Sequence, residues 1–182
     1  MKNKLFLGRI NLDTIFFIIF ISGLIIMYTK PFGIPAIKEC YDGFVMPDME
    51  FGYTYEFIKD MFDNLGADGL RHYSNYYNID MFFIVGLIGV QFYLLKKYKC
   101  NNNLINRLCG VFIVTRCIFD VLEDLSFKLI IKGILTLDER IVDITSGLTK
   151  MKLVSIGLWG ILFIVGIVIM KLELKRGKNQ GL

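Results

Sequence analysis

LCGVFIVTRCIFDVLEDLSFKLIIKGIL, residues 108–135, is the stretch on which the architecture turns. It is long enough to cross a bilayer, which takes about 20 predominantly apolar residues. It also carries Arg116, Asp120, Glu123, Asp124, Lys128 and Lys132. The charges leave two readings, a spanning helix with a polar stripe or an amphipathic helix lying on the membrane surface. Helical phase favours the first. At about 100° per residue, Arg116, Asp120 and Glu123 fall within roughly 60° of one another. Phe112, Val114, Ile118, Val121 and Leu125 take the opposite side. A stripe of that width faces a bundle while the rest faces lipid. An Arg or Asp at the bilayer centre costs about 2.5–3.5 kcal/mol on insertion scales, and pairing inside a bundle lowers that cost.

Working outward, three further apolar runs flank this one. Ile15–Met27 follows Lys2, Lys4 and Arg9 and extends back to about Leu12. It has the basic start of a signal peptide, but Tyr28-Thr29-Lys30-Pro31-Phe32 offers no small-residue cleavage site, so it reads as an uncleaved first helix. Met81–Leu95 is entered by Asp80 and left through Lys96, Lys97, Lys99 and Arg107. Leu153–Met170 is followed by Lys171, Lys175, Arg176 and Lys178. Between the first two runs, Lys30 to Asn78 holds eight acids and four bases; Asp138, Glu139, Arg140 and Asp143 mark a second acidic segment, 136–149. Basic loops stay in the cytoplasm, so the ends and the 96–107 loop are expected inside and the two acidic segments outside. The expectation is an all-α integral membrane protein of the plasma membrane. It is a four-transmembrane-helix bundle with spans at about 12–28, 80–96, 107–133 and 152–171 and an external amphipathic segment, 30–78.

Composition agrees. The chain has 182 residues, 54% of them hydrophobic, and a mean hydropathy of +0.53. Soluble domains run at about 45–50% apolar even with glycine counted. The net charge of +4 is spent on span flanks rather than gathered into a patch, which argues against nucleic acid as a partner; membrane lipid is the expected one. Cys40, Cys100, Cys109 and Cys117 form no Cys-x-x-Cys pair, and only Cys40 is expected to face outward, so no external intrachain disulfide is expected. Gly86, Gly89, Gly157 and Gly160 suggest helix contacts, but spacing by three is not the Gly-x-x-x-Gly motif.

In the external segment, Thr54 suits an N-cap for a helix over Tyr55–Leu65. Ile58, Met61, Phe62 and Leu65 fall on one face; Glu56, Lys59, Asp60 and Asp63 cover the others, and Gly66 suits the stop. Such a helix is expected to lie on the membrane or cap the bundle. Asp68 then caps a stretch leading into the second span, with Tyr73, Tyr76 and Tyr77 at headgroup level as an aromatic belt. His72, the only histidine, has no nucleophile beside it.

Phe51-Gly52-Tyr53-Thr54, Leu65-Gly66, Gly69, Arg71, Tyr73, Asp80 and Asp120-x-x-Glu123-Asp124 together resemble a group of small, uncharacterised four-span bacterial membrane proteins. The likeness runs from Asp48 to Asp124. It implies the same topology and no function.

No phosphate-binding glycine loop is present, one histidine rules out His-Glu-x-x-His, and no nucleophile elbow surrounds a serine. The sequence therefore names no catalytic residue, cofactor or metal. It does name a depth. Counting from Arg107 at 1.5 Å per residue, Asp120 lies about 20 Å and Asp124 about 26 Å along the third span, in the outer leaflet, where Asp80 also enters. The candidate ligand-binding set is Asp80, Arg116, Asp120 and Glu123, roofed by Asp48, Tyr53 and Arg71. Three readings stand: an accessory or structural protein whose charges pair as Arg116–Asp120 and Asp124–Lys128, a binding or transport module for a cation or lipid headgroup, and a lipid-modifying enzyme using carboxylates.

Overall fold

Each of the four long helices starts where a short polar side chain can take up a free backbone N–H. Asn11 accepts from the Asp13 amide to open α1, Leu12–Met27. Thr54 accepts from Phe57 N at 3.3 Å to open α3, Tyr55–Lys97. Asn102 accepts from Leu104 N and Ile105 N at 3.0 and 3.2 Å to open α4, Asn103–Ile131. Asp138 accepts from Ile141 N at 2.9 Å ahead of α5, Glu139–Gln180. A short helix α2, Ile34–Cys40, and a 3-10 turn, Pro47–Met49, lie between α1 and α3. The structure, a computed structural model, describes residues 11–180 and the side chains of residues 11–176. The basic residues Lys2, Lys4 and Arg9 lie outside the described residues, as does the side chain of Lys178. Among the described residues there are five α-helices and no strand.

α1 packs on α3, α3 on α4, and α4 on α5, while α2 lies against α3. Two of these helices, α3 and α5, are long and apolar enough to cross a membrane, and α1 is a shorter apolar helix. α4 falls short by composition because of its charges, yet those charges turn inward. Arg116, Asp120, Glu123 and Asp124 are buried, and Val114, Ile118, Leu122 and Leu125 are exposed. α1 and α5 likewise expose Ile18, Ile21, Ile25, Ile161, Ile164 and Val168.

Gly66 interrupts α3 with φ 58° and ψ −171°, a backbone that L side chains rarely adopt. The break separates the expected helix Tyr55–Leu65, here called the lid, from the long apolar arm that follows, so lid and arm are one chain-continuous element bent at a glycine. Ile58, Met61 and Leu65 are buried in the core and Phe62 packs against it; this face turns to the bundle. Gly86 and Gly89 bring α1 close. A Cβ at Gly86 would meet Phe20 N at 2.4 Å, and one at Gly89 the Phe16 ring at 2.0 Å. Gly157 and Gly160 meet nothing within 4 Å.

Two expectations need correction. Tyr73, Tyr76 and Tyr77 are not an interfacial belt; all three are buried. Tyr77 stacks on Phe127 at 6.0 Å between centroids and lies 4.7 Å from Tyr73, which meets Phe44 edge-on at 5.3 Å. The segment between α1 and α3 covers them, and stacked aromatics gain more from one another than from an interface. Secondly, residues 139–149 are not loop. α5 begins at Glu139, because Val142, Thr145, Ser146, Thr149 and Lys152 recur at helical spacing and are all buried.

Candidate functional site

α5 supplies the residue on which the site centres. Lys152 stands two turns below the buried Thr145, and its ammonium reaches three acids from two directions. Nζ lies 2.6 Å from Glu123 Oε2 and 3.1 Å from Asp120 Oδ1, both on α4, and 3.9 Å from Asp48 Oδ2 in the 3-10 turn. Arg116 pairs with the other Asp120 oxygen, one helical turn away. Both cations are largely buried, and Glu123 is fully so. Buried ion pairs are costly to form and costlier to break.

Glu123 is held from a second side. Thr149 Oγ1 lies 2.5 Å from Glu123 Oε1 and 3.1 Å from the Tyr53 hydroxyl. The Ser146 hydroxyl accepts from Tyr53 N at 3.0 Å, fixing the loop that carries the tyrosine. Gly52 permits this approach: its φ is 93°, and a Cβ there would strike the Lys150 side chain. Burial and the Glu123 carboxylate both push the Tyr53 hydroxyl above its ordinary value, so it stays protonated. Burial likewise raises the Asp48 carboxyl, against the pull of the Lys152 ammonium.

A third group lies behind these pairs. One carboxylate oxygen each from Asp80, Asp120 and Asp124 falls within 4.8 Å of the others. Asp124 has no exposure, and neither of its oxygens has a hydrogen-bond partner. Arg116 Nε and Nη1 are also without partners.

The acids and bases open onto a cavity of about 200 Å³. Asp48, Asp80, Arg116, Asp120 and Lys152 line its polar side; Leu24, Met27, Phe83, Leu153 and Ile156 line its apolar side. α1 and α5 stand on either side of it, since α1 rests on α3 and α5 on α4.

Of the residues expected in one site, Asp48, Asp80, Arg116, Asp120 and Glu123 converge, and Tyr53 joins through Thr149. Arg71 does not. It is exposed and pairs with Asp68 at 3.2 Å, because residue 71 falls on the outer face of α3 beyond the glycine break. Asp124 does not pair with Lys128, whose ammonium instead donates to Asn78; Lys128 points outward while Asp124 points into the bundle. His72 lies outside the group. The sequence reading missed Lys152 and Thr149. Lys152 was one base among those bordering an apolar run, and only its phase with Thr145 and Thr149 distinguishes it. Compared with protein-family models, curated proteins and solved structures, the chain matches none of them.

Proposed function

We propose that this chain is a four-span plasma-membrane protein, with both ends cytoplasmic, that binds the polar head of a membrane amphiphile in its outer-leaflet half. The observation that carries the reading is the cavity between α1 and α5, with buried ions on one side and apolar walls on the other. Its volume suits a headgroup rather than a whole lipid. Apolar walls beside a gap between two helices suit an occupant that keeps its tail in the bilayer.

Three depth counts support the sidedness. Measured at 1.5 Å per residue from the basic end of each helix, Asp80 lies about 25 Å from Lys97, Asp120 about 20 Å from Arg107, and Lys152 about 28 Å from Lys171. In a core of about 30 Å, all three belong in the outer half. The exposed faces of α1, α4 and α5 carry the apolar side chains a lipid would cover.

Mass spectrometry of the protein released gently from detergent tests the binding reading. The expected result is a bound amphiphile that Leu153→Trp, which fills the cavity, removes without unfolding the chain. Wild-type protein free of amphiphile in membrane-like detergent would overturn it. Topology is tested separately, in a chain whose only cysteine is either Cys40 or one introduced as Asn101→Cys, both exposed positions. An impermeant thiol reagent on intact cells should reach residue 40 and spare residue 101. Cys100 is unsuited to this test because it is buried.

A structural reading draws on the closed pairs Arg116–Asp120 and Lys152–Glu123. In that case the charges specify helix packing and the cavity has no occupant. Glu123→Gln separates the two: it is expected to preserve the fold while changing the bound amphiphile, whereas a purely structural network would lose the fold.

A further inference from the structure

Five carboxylates, Asp48, Asp80, Asp120, Glu123 and Asp124, are gathered around two cations, Arg116 and Lys152. The cations are not evenly shared. Lys152 contacts Glu123, Asp120 and Asp48, and Arg116 contacts Asp120. Asp80 and Asp124 have no ion-pair partner among the described residues. Carboxylates this close and this deeply buried cannot all stay ionised without a counter-charge between them.

We propose that Asp80, Asp120 and Asp124 hold a divalent, oxygen-preferring metal ion of about calcium size. Two helices supply the ligands: Asp120 and Asp124 project from α4 one turn apart, and Asp80 faces them from α3. Their oxygens lie within 4.8 Å of one another, close enough for one ion with bonds of about 2.3–2.6 Å to reach all three. Magnesium demands near-ideal octahedral geometry and gives up its waters reluctantly, so a buried carboxylate cluster favours the larger ion.

An acidic cluster alone would not carry the inference. The second observation is the Asp124 side chain. It is fully buried and points into the cluster, no N–H, ammonium or hydroxyl donor reaches either oxygen, and the group that faces it is another acid, Asp80. The base one turn along the helix, Lys128, is committed to Asn78. An unpaired carboxylate in such surroundings costs several kcal/mol, and a metal ion supplies the missing partner without needing a donor group. Asp80 and Asp120 also line the cavity, which gives the ion an entry path and room for the waters that complete a shell of six to eight oxygens. Arg116 and Lys152 contact Asp120 and Glu123, and neither forms an ion pair with Asp80 or Asp124. The inference is independent of which amphiphile occupies the cavity.

The test uses the full-length protein in detergent, stripped with chelator and titrated with calcium chloride by calorimetry, with bound metal counted by elemental analysis. The expected result is saturable binding of one ion per chain, a higher melting temperature with calcium, and a weaker response to magnesium. Asp124→Asn and Asp80→Asn are expected to abolish stoichiometric binding, while Asp48→Asn, outside the triad, retains it. Wild-type protein that is folded by circular dichroism but binds no calcium, magnesium or manganese would overturn the proposal and leave protons shared between the carboxyls as the counter-charge. Binding that survives both Asp80→Asn and Asp124→Asn would overturn it too. If either variant fails to fold, the wild-type titration still decides.

Discussion

The aromatic half and the ionic half of this bundle are built on opposite plans. Around Tyr73, Tyr77 and Phe127 the interior is aromatic, and the surface facing outward carries Glu56, Lys59, Asp60 and Asp63. Up to about three turns further along α4, and on α5 beside it, the interior holds Arg116, Asp120, Glu123, Asp124 and Lys152, and the surface is Ile, Leu and Val. The same two helices, α3 and α4, run through both. Under the proposed membrane reading, the difference lies in what each surface must dissolve in. A protein surface in water is polar and its core apolar; in lipid, ionisable groups turn inward and pair.

The sharpest way to break this comparison is to remove the cation at the centre of the ionic half. Lys152→Met leaves Glu123, Asp120 and Asp48 without their shared partner, and buried pairs broken from one side cost about 3–5 kcal/mol. Thermal unfolding in detergent should show the largest loss of any single change considered. Adding Glu123→Gln to Lys152→Met should recover part of it. In the aromatic half, Phe127→Ala removes the ring that Tyr53, Phe62, Tyr73 and Tyr77 all touch, and is expected to cost about 3 kcal/mol. Tyr77→Phe should be nearly silent, because the Tyr77 hydroxyl has no hydrogen-bond partner.

Much of the fold was legible before the structure, because helical phase is a local property. The burial of Ile58, Met61 and Leu65, the stop at Gly66 and the inward stripe of α4 all follow from spacing alone. What spacing could not resolve was which surface would lie over a given face. Tyr73, Tyr76 and Tyr77 have the composition of an interfacial belt, and only the return of residues 34–53 across them makes them core. The site divides the same way. Asp120 and Glu123 stood out as charges inside an apolar run. Lys152 did not, because a lysine at the edge of such a run is the usual mark of a membrane boundary. Arg71 was placed by its segment alone, and a segment does not fix which face of a helix a residue takes; here it is the exposed one.

A smaller test probes the lid. Met61→Lys places a charge in the core and should lower the melting temperature clearly, while Asp60→Lys, on the exposed face, should leave it near wild type. Equal effects would mean that the lid does not pack as described. The smallest expected effect has the opposite sign. In the unfolded chain Asp48 ionises at its ordinary value, whereas in the fold burial makes it hold its proton more tightly. The folded state therefore gains from this group at low pH and loses that gain as pH rises through the raised value. Asp48→Asn should melt slightly higher than wild type at neutral pH, and the gap should close as pH falls below the carboxylate range. A variant that melts lower at neutral pH would mean that the Lys152 contact outweighs burial.

Gly86 and Gly89 have a bearing on this site although neither touches it. They let α1 lie against α3, and α1 contributes Leu24 and Met27 to one side of the cavity while α5 contributes Leu153 and Ile156 to the other. The opening beside the ions is therefore gauged by two missing methyl groups on its hidden side. An alanine at either position must move α1 and alter the width of that opening, with every charged residue left as it was.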